Sequence, residues 1–324
     1  MLSYTHLHRS VMGLSNNNAE VKRKSHYWQR AWMLYLMLLL PMAFFIIFRY
    51  APMTNIVIAF KDYNIFQGVW SEYSPWVGFK YFNEAFSSRD FWNAVRNTLL
   101  LNSLDLVMGF PAPIILALIL NELSFKRYKK ITQTIVYLPH FLSWIIVSAI
   151  ATRLLAPSTG VVNITLVNVF GIGPIDFLMN RVMWVFTYVT FGIWKSMGWG
   201  TIIYLAAITA VNPELYEAVE VDGGGRWRKL WNVTLPCIRP TIIVLLIMNI
   251  GWILGIELDR PLTMGNNIVR QVADVISTLV YRWGIQSFRL SLSAAIGLFQ
   301  SVICVIFVVS ANILAKQFGE RGIW

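Results

Sequence analysis

Residues 215–236 read LYEAVEVDGGGRWRKLWNVTLP, a stretch rich in charge, glycine and tryptophan that lies between two long apolar runs. Just ahead of it, Asn212 and Pro213 form a helix start. The asparagine side chain can cap the first free N–H groups, and proline at the first helical position loses no hydrogen bond. Glu214 and Glu217 add negative charge near the positive end of the helix dipole. Leu215, Ala218, Val219 and Asp222 fall on one side of such a helix, with Glu217 and Glu220 elsewhere. Gly223, Gly224 and Gly225 then stop it, because glycine accepts the positive φ that turns the chain. Beyond the turn, Trp227, Leu230 and Trp231 recur at helical spacing with Arg226, Arg228 and Lys229 between them, until Leu235 and Pro236 open the next apolar run. The expectation is a helix-turn-helix outside the apolar runs, with Lys229 a surface position. It is far longer than the connectors of about 2 to 8 residues that join bundled helices.

The surrounding runs define the class. The chain has 324 residues, of which 56% are hydrophobic and 13% charged, against about 25% charged in soluble domains. A membrane-spanning helix needs roughly 20 mostly apolar residues. Six such runs occur, near 32–48, 98–120, 131–155, 182–208, 238–256 and 290–314. The expected fold is all-α, a polytopic helical membrane protein with about six spans. Its parts are a tail over 1–30, a first helix and outer loop over 31–93, a core over 94–314 that includes the loop 212–236, and a tail over 315–324.

The net charge of +11 is spread beside the ends of the runs, not gathered on one arm or soluble domain, so nucleic acid is not implied as a partner. Lys22, Arg23, Lys24 and Arg30 precede the first run, Lys126, Arg127, Lys129 and Lys130 follow the second, and Arg226, Arg228 and Lys229 follow the fourth. With six spans these clusters share one side with Lys316 and Arg321, which the positive-inside rule makes cytoplasmic. Both termini and the quoted stretch then face the cytoplasm. The connections over 50–93, 156–181 and 257–288 face outward, and Trp70, Trp76, Trp92, Trp184 and Trp283 in or beside them fit an interfacial aromatic belt. The first run is too long for a secretory signal core and lacks a small-residue cleavage pattern, so an uncleaved span is expected, preceded by a mobile tail.

Catalysis has no visible seat. Cys237 and Cys304 have neither metal-ligand nor redox spacing. His6, His8 and His26 lie in the tail, and His140 follows Pro139 inside the third run, so no nucleophile and base constellation assembles. For the quoted stretch three readings compete. A phosphate-cradling loop would need Gly-Lys-Ser/Thr after a strand, which is absent. A helix pair on the bilayer surface would dip Trp227 and Trp231 into lipid. A docking element for a cytoplasmic partner accounts for the remaining charge pattern.

Glu217-Ala218-Val219, three residues, Gly223, nine residues, then Val233, Leu235 and Pro236 resemble the EAA loop of ABC importer permeases, in which Glu-Ala-Ala is followed at the same gaps by Gly and by Ile-any-Leu-Pro. Val219 stands for the second alanine and Val233 for the isoleucine. YLPHFLSW at 137–144, ADVISTLVY at 273–281 and GIW at 322–324 are similar to the polysaccharide-type branch of carbohydrate permeases. The resemblance implies a type I importer fold in the bacterial inner membrane. It also implies a second permease subunit, two ATP-binding subunits that hold ATP and Mg, an extracytoplasmic solute-binding protein and surrounding lipid. The cargo would be an oligosaccharide, with anionic uronates of the alginate kind as the specific expectation. Glu217, Ala218, Val219, Asp222, Gly223, Leu235 and Pro236 would then couple to the ATPase, and this chain would carry no cofactor or metal of its own.

A substrate path requires polar and aromatic groups within the spans, where such groups are costly and usually face an interior or aqueous route. Asn102, Asp105, Arg153, Lys195, Asn249 and Glu257 are the polar candidates, and Trp194, Tyr204 and Trp252 the rings against which a sugar could stack. Interhelical hydrogen bonding, snorkelling and lipid contact explain the same residue types. An ion-gradient transporter or channel is the alternative function, using Asp105 and Glu257 as ion sites. It would call for paired interrupted helices that the two halves do not display.

Overall fold

The computed structural model describes residues 31–123, 125–255 and 257–317. The N-terminal tail and the terminal Gly-Ile-Trp lie outside them. Among the described residues the structure is helical, and the β pairing is an isolated bridge between Lys61 and Trp76. The chain divides into a unit over Met1–Val57 and a unit over Ile58–Trp324. The described residues of the first belong to α1 (Ala31–Phe60), which runs on to Phe60 and at 30 residues is long and apolar enough to cross a membrane.

The second unit is built along α3 (Arg89–Glu122), a 34-residue helix preceded by the short α2 (Lys80–Ser87). Pro111 and Pro113 remove two donors from α3, and just ahead of them the ladder widens to a π turn over Asp105–Gly109, so the helix continues. Three buried clusters are strung along it. Phe91 packs with Leu254, Ile276, Leu279, Leu292 and Ile296 at one end. Leu101 packs with Trp144, Trp184, Tyr188 and Val269 in the middle. Ala117 and Leu120 meet Tyr204, Leu205 and Ile238 at the other end.

The run at 131–155, expected as one span, is broken. Helix α4 (Lys126–Tyr137) passes into a tight turn at Leu138–Phe141, and α5 (Trp144–Leu155) departs at 104°. Pro139 cannot donate to the helical ladder, and the Ser143 side chain offers the new helix a cap by accepting from Ile146 N at 3.4 Å. After the short α6 (Val161–Phe170), α7 (Arg181–Thr209) runs for 29 residues. It has the length of a span, yet Lys195, Ser196, and interspersed glycine and threonine leave it less apolar than α1, α3, α9 (Arg226–Gly251) and α13 (Leu290–Gln317), the four described helices long and apolar enough to cross a membrane. The bent pair makes a fifth if it is one span.

Between α7 and α9 stands α8 (Pro213–Val221). The second limb of the expected helix-turn-helix is not a separate element, because α9 begins at Arg226 and continues without a break into the membrane run. It ends at Gly251, earlier than its apolar run, in turns over 252–254. A strap then leads to α10 (Asp259–Met264), α11 (Arg270–Ala273) and α12 (Ile276–Val280), the last extended by a wide turn to Gln286, before α13.

Candidate functional site: a polar cavity and an exposed helix

A cavity of about 470 Å³ opens beside α3 at Asn102 and Asp105, near the midpoint of that helix. Its opposite walls come from Trp144 on α5, Ser196, Trp199 and Tyr204 on α7, Asn249 on α9, and the strap after α9. A chain that leaves a helix inside an apolar bundle must find partners for its carbonyls. Asn102 Nδ2 donates to Ile253 O at 2.5 Å and Gln300 Nε2 to Leu254 O at 2.6 Å. Ser148 Oγ donates to Thr263 O at 2.7 Å and Trp184 Nε1 to Met264 O at 2.8 Å. The strap is thus held by side chains from α3 and α13, and the end of α10 by side chains from α5 and α7.

Arg260, on α10 just beyond this strap, donates both terminal nitrogens to Asp105, at 2.5 and 3.1 Å, and Nη2 also to Tyr188 O at 2.7 Å. Its guanidinium lies 3.7 Å from the centroid of the Tyr188 ring and 5.1 Å from that of Trp144. The bidentate fork and ring faces compensate a charge taken largely out of water. Close approach is possible because residue 192 is glycine, where a Cβ would fall 2.1 Å from Arg260 Nη2. Trp144 Nε1 donates to Glu257 Oε2 at 2.6 Å, and His140, from the break in the third run, stacks on Trp199 at 4.7 Å.

Of the expected path residues, Asn102, Asp105, Tyr204, Asn249, Trp252 and Glu257 meet at this cavity. Lys195 stands behind the wall, donating to His140 O at 3.2 Å with its amine 5.1 Å from the Trp144 ring centroid. Trp194 packs edge-on to Phe191 away from the cavity, and Arg153 is exposed beside a separate hollow with Ser148 and Thr263. Sequence reasoning missed Trp144, Trp199 and Arg260. Arg260 was assigned to an outer loop by the end of an apolar run, and only the fold returns it to the interior.

The second feature is α8. Asn212 Oδ1 accepts from Glu214 N at 3.1 Å, as the sequence suggests. Gly223 takes φ +72°, and its N–H closes on Glu220 O at 2.9 Å while Gly224 N–H closes on Val219 O at 2.7 Å. The face turned to the protein carries Tyr216 and Val219, with Leu215, Ala218 and Asp222 exposed, because α8 rests on the first turns of α9. Tyr216 and Thr234 hydroxyls lie 3.1 Å apart, and Lys229 pairs with Glu220. Lys229 is therefore a half-buried support, not a free surface position. Leu235 packs beside Ile238, and Pro236 lies exposed in the early turns that follow. Glu217 projects outward and makes no hydrogen bond or ion pair among the described residues; Val221 is 88% exposed and Trp227 77%.

A bundle of long apolar helices around a cavity with polar side chains, carrying an exposed short helix between the 29-residue α7 and the membrane-length α9, is the architecture of a membrane transport subunit. Residues 91–320 match the family model described as binding-protein-dependent transport system inner membrane component. Protein LplB of Bacillus subtilis (strain 168) is 46% identical over 291 residues, 90% of this chain and 91% of that one. The polygalacturonan/rhamnogalacturonan transport system permease protein YteP of the same organism is 45% identical over 90% of each chain. A chain in the crystal structure of a bacterial alginate ABC transporter, in complex with its alginate pentasaccharide-bound periplasmic protein, is 41% identical with TM-score 0.83. That match covers 91% of this chain and 98% of the solved one. The chain belongs to the binding-protein-dependent family of ABC importer permeases, on its carbohydrate branch, and is an inner-membrane component that is not itself catalytic.

Proposed function

We propose that this permease forms, with a second permease subunit, the path by which an acidic oligosaccharide crosses the inner membrane, and that α8 couples the path to two ATP-binding subunits. The observation that carries this reading is the pairing of a polar, ring-lined cavity halfway along α3 with a docking helix at the α3 end marked by Glu122, whose carboxylate lies 3.8 Å from Arg226. Cargo delivered by an extracytoplasmic binding protein would meet Trp144, Trp199 and Trp252 as stacking faces and Asn102 and Asn249 as hydroxyl partners. Lys195 beside the cavity would offset part of the cargo's negative charge, whereas Arg153 lies by a separate hollow and takes no part in this cavity. ATP and Mg belong to the partner subunits in this scheme. The positive-inside rule applied to the basic clusters supports a cytoplasmic side for α8 and both termini.

The relatives named above support a uronate cargo, since polygalacturonan and alginate are both polymers of uronic acids. An ion-coupled transporter would need Asp105 and Glu257 free to exchange ions, whereas Arg260 and Trp144 engage them. The test is ATP hydrolysis by the reconstituted complex with its binding protein. Oligouronates should stimulate it more than neutral maltodextrins, and equal or inverted stimulation would remove the uronate assignment.

A further inference from the structure

Helix α10 separates two spaces. Arg260 faces the central cavity, while the next two residues, Pro261 and Leu262, line a recess of about 210 Å³ that the cavity does not include. The rest of this recess comes from the 265–274 segment and from Thr278, Tyr281, Arg282 and Gln286. Arg282 also lies 3.8 Å from Asp90, at the first turn of α3. The opposite end of α3, Glu122, lies beside Arg226 and the docking helix. At 1.5 Å per residue those ends are roughly 48 Å apart, so the recess and α8 stand at opposite ends of the membrane helix.

The chemistry of the recess is cationic and amide-rich. Within its lining two guanidiniums share one carboxylate: Arg282 Nη1 lies 2.7 Å from Asp274 Oδ2, and Arg270 Nε lies 3.8 Å from the same oxygen. Asp274 Oδ1 accepts from the Thr278 hydroxyl at 2.7 Å. Asn266 is spent on backbone groups, donating to Leu178 O in the segment before α7 and accepting from Ile268 and Val269 N–H in its own loop. Its neighbour Asn267 and Gln286 are exposed, and their side chains make no hydrogen bond among the described residues. The Arg270 side chain is 50% exposed and its terminal nitrogens are likewise uncommitted.

We propose that this recess binds one carboxylated sugar unit before the unit passes α10 into the central cavity, with Arg270 holding the carboxylate and Asn267 and Gln286 the ring hydroxyls. A guanidinium fork matches a carboxylate bidentately, and side-chain amides both donate to and accept from hydroxyls. Tyr281 and the apolar edge formed by Pro261 and Leu262 suit a ring face. The volume is below the roughly 300 Å³ at which pockets for larger ligands begin, which fits a single ring and not a chain. A docked protein lobe would spread over a broad interface, on the order of 800 Å² from each partner. The assignment rests on the oligouronate reading above.

The test uses the complete transporter in lipid nanodiscs, with tetragalacturonate and its carboxyl-reduced neutral counterpart as probes. Without binding protein, saturation-transfer NMR should detect tetragalacturonate on the wild type, with the neutral probe at least about tenfold weaker. Arg270→Gln and Gln286→Glu should each weaken tetragalacturonate binding about fivefold or more, the first by removing the fork and the second by adding a like charge, while sugar-free ATP hydrolysis stays unchanged. Equal binding to both variants and wild type, or no binding to wild type, overturns the proposal. So does a weakened affinity of Arg270→Gln for the sugar-free binding protein, which would assign the recess to a protein carboxylate. Failure of the underlying cargo reading is separately visible, as maltodextrin stimulating ATP hydrolysis at least as well as oligouronate.

Discussion

At Arg260 a guanidinium is held between one carboxylate and two ring faces, with side-chain exposures of 11% for Arg260 and 26% for Asp105. Such a pair contributes little net stability over well-packed apolar residues of similar size, but removing one member leaves a charge stranded. Arg260→Met or Asp105→Leu alone should therefore cost about 3 to 5 kcal/mol, while the double variant should come close to wild type. A double-mutant cycle on thermal unfolding of the purified complex checks this, and additive losses would mean the two residues act independently. The sequence marked Asp105 as an ionisable group inside a span but gave no sign of its partner. The two are 155 residues apart, and an arginine one residue before a proline beyond an apolar run reads as a loop residue.

The element that invites a partner is α8. Its base is fixed by Tyr216 and Thr234 and by Glu220 and Lys229, whereas Glu217 and Val221 face outward. Glu217→Lys changes only this outward face and should leave the bundle folded, while ATPase subunits are lost on purification or substrate-stimulated hydrolysis falls. Gly223→Val should have the same consequence by another route, because a β-branched side chain strongly disfavours φ +72°. Lys229→Ala should weaken coupling too, since it removes the support beneath Glu220. Normal assembly and transport in the Glu217 and Gly223 variants would count against docking and favour a helix lying on the bilayer. Asparagine cap, proline start and glycine stop made α8 legible in the sequence to within a residue. Its inward face was not legible, because that depended on where α9 lies.

Across the whole molecule the arrangement of α3 matters most. One end lies by the recess lined by Arg270 and Arg282, its middle by the cavity and its other end by Arg226, next to α8. If the positive clusters are cytoplasmic anchors, cysteines introduced at Asn17 or Lys129 should resist an impermeant thiol reagent in intact cells, and cysteines at Ser71 or Asn267 should react. The reverse pattern would invert the recess and α8 relative to the membrane and remove the route proposed for cargo.

The sequence by itself determined the membrane class, four of the six apolar runs as continuous helices and a fifth as far as Gly251, the short helix α8 and the family. Each is written in short-range terms: runs of apolar side chains, cap and breaker residues, and fixed gaps within about 20 positions. Pro139 and Ser143 were visible too, but whether a proline bends a membrane helix or breaks it depends on what packs around it, and the 104° turn belongs to the fold. The cavity was decided by tertiary structure alone. Asn102, Trp144, Trp199 and Arg260 lie far apart along the chain, and what joins them is the need of an unwound strap inside an apolar bundle to satisfy every carbonyl and charge it carries there.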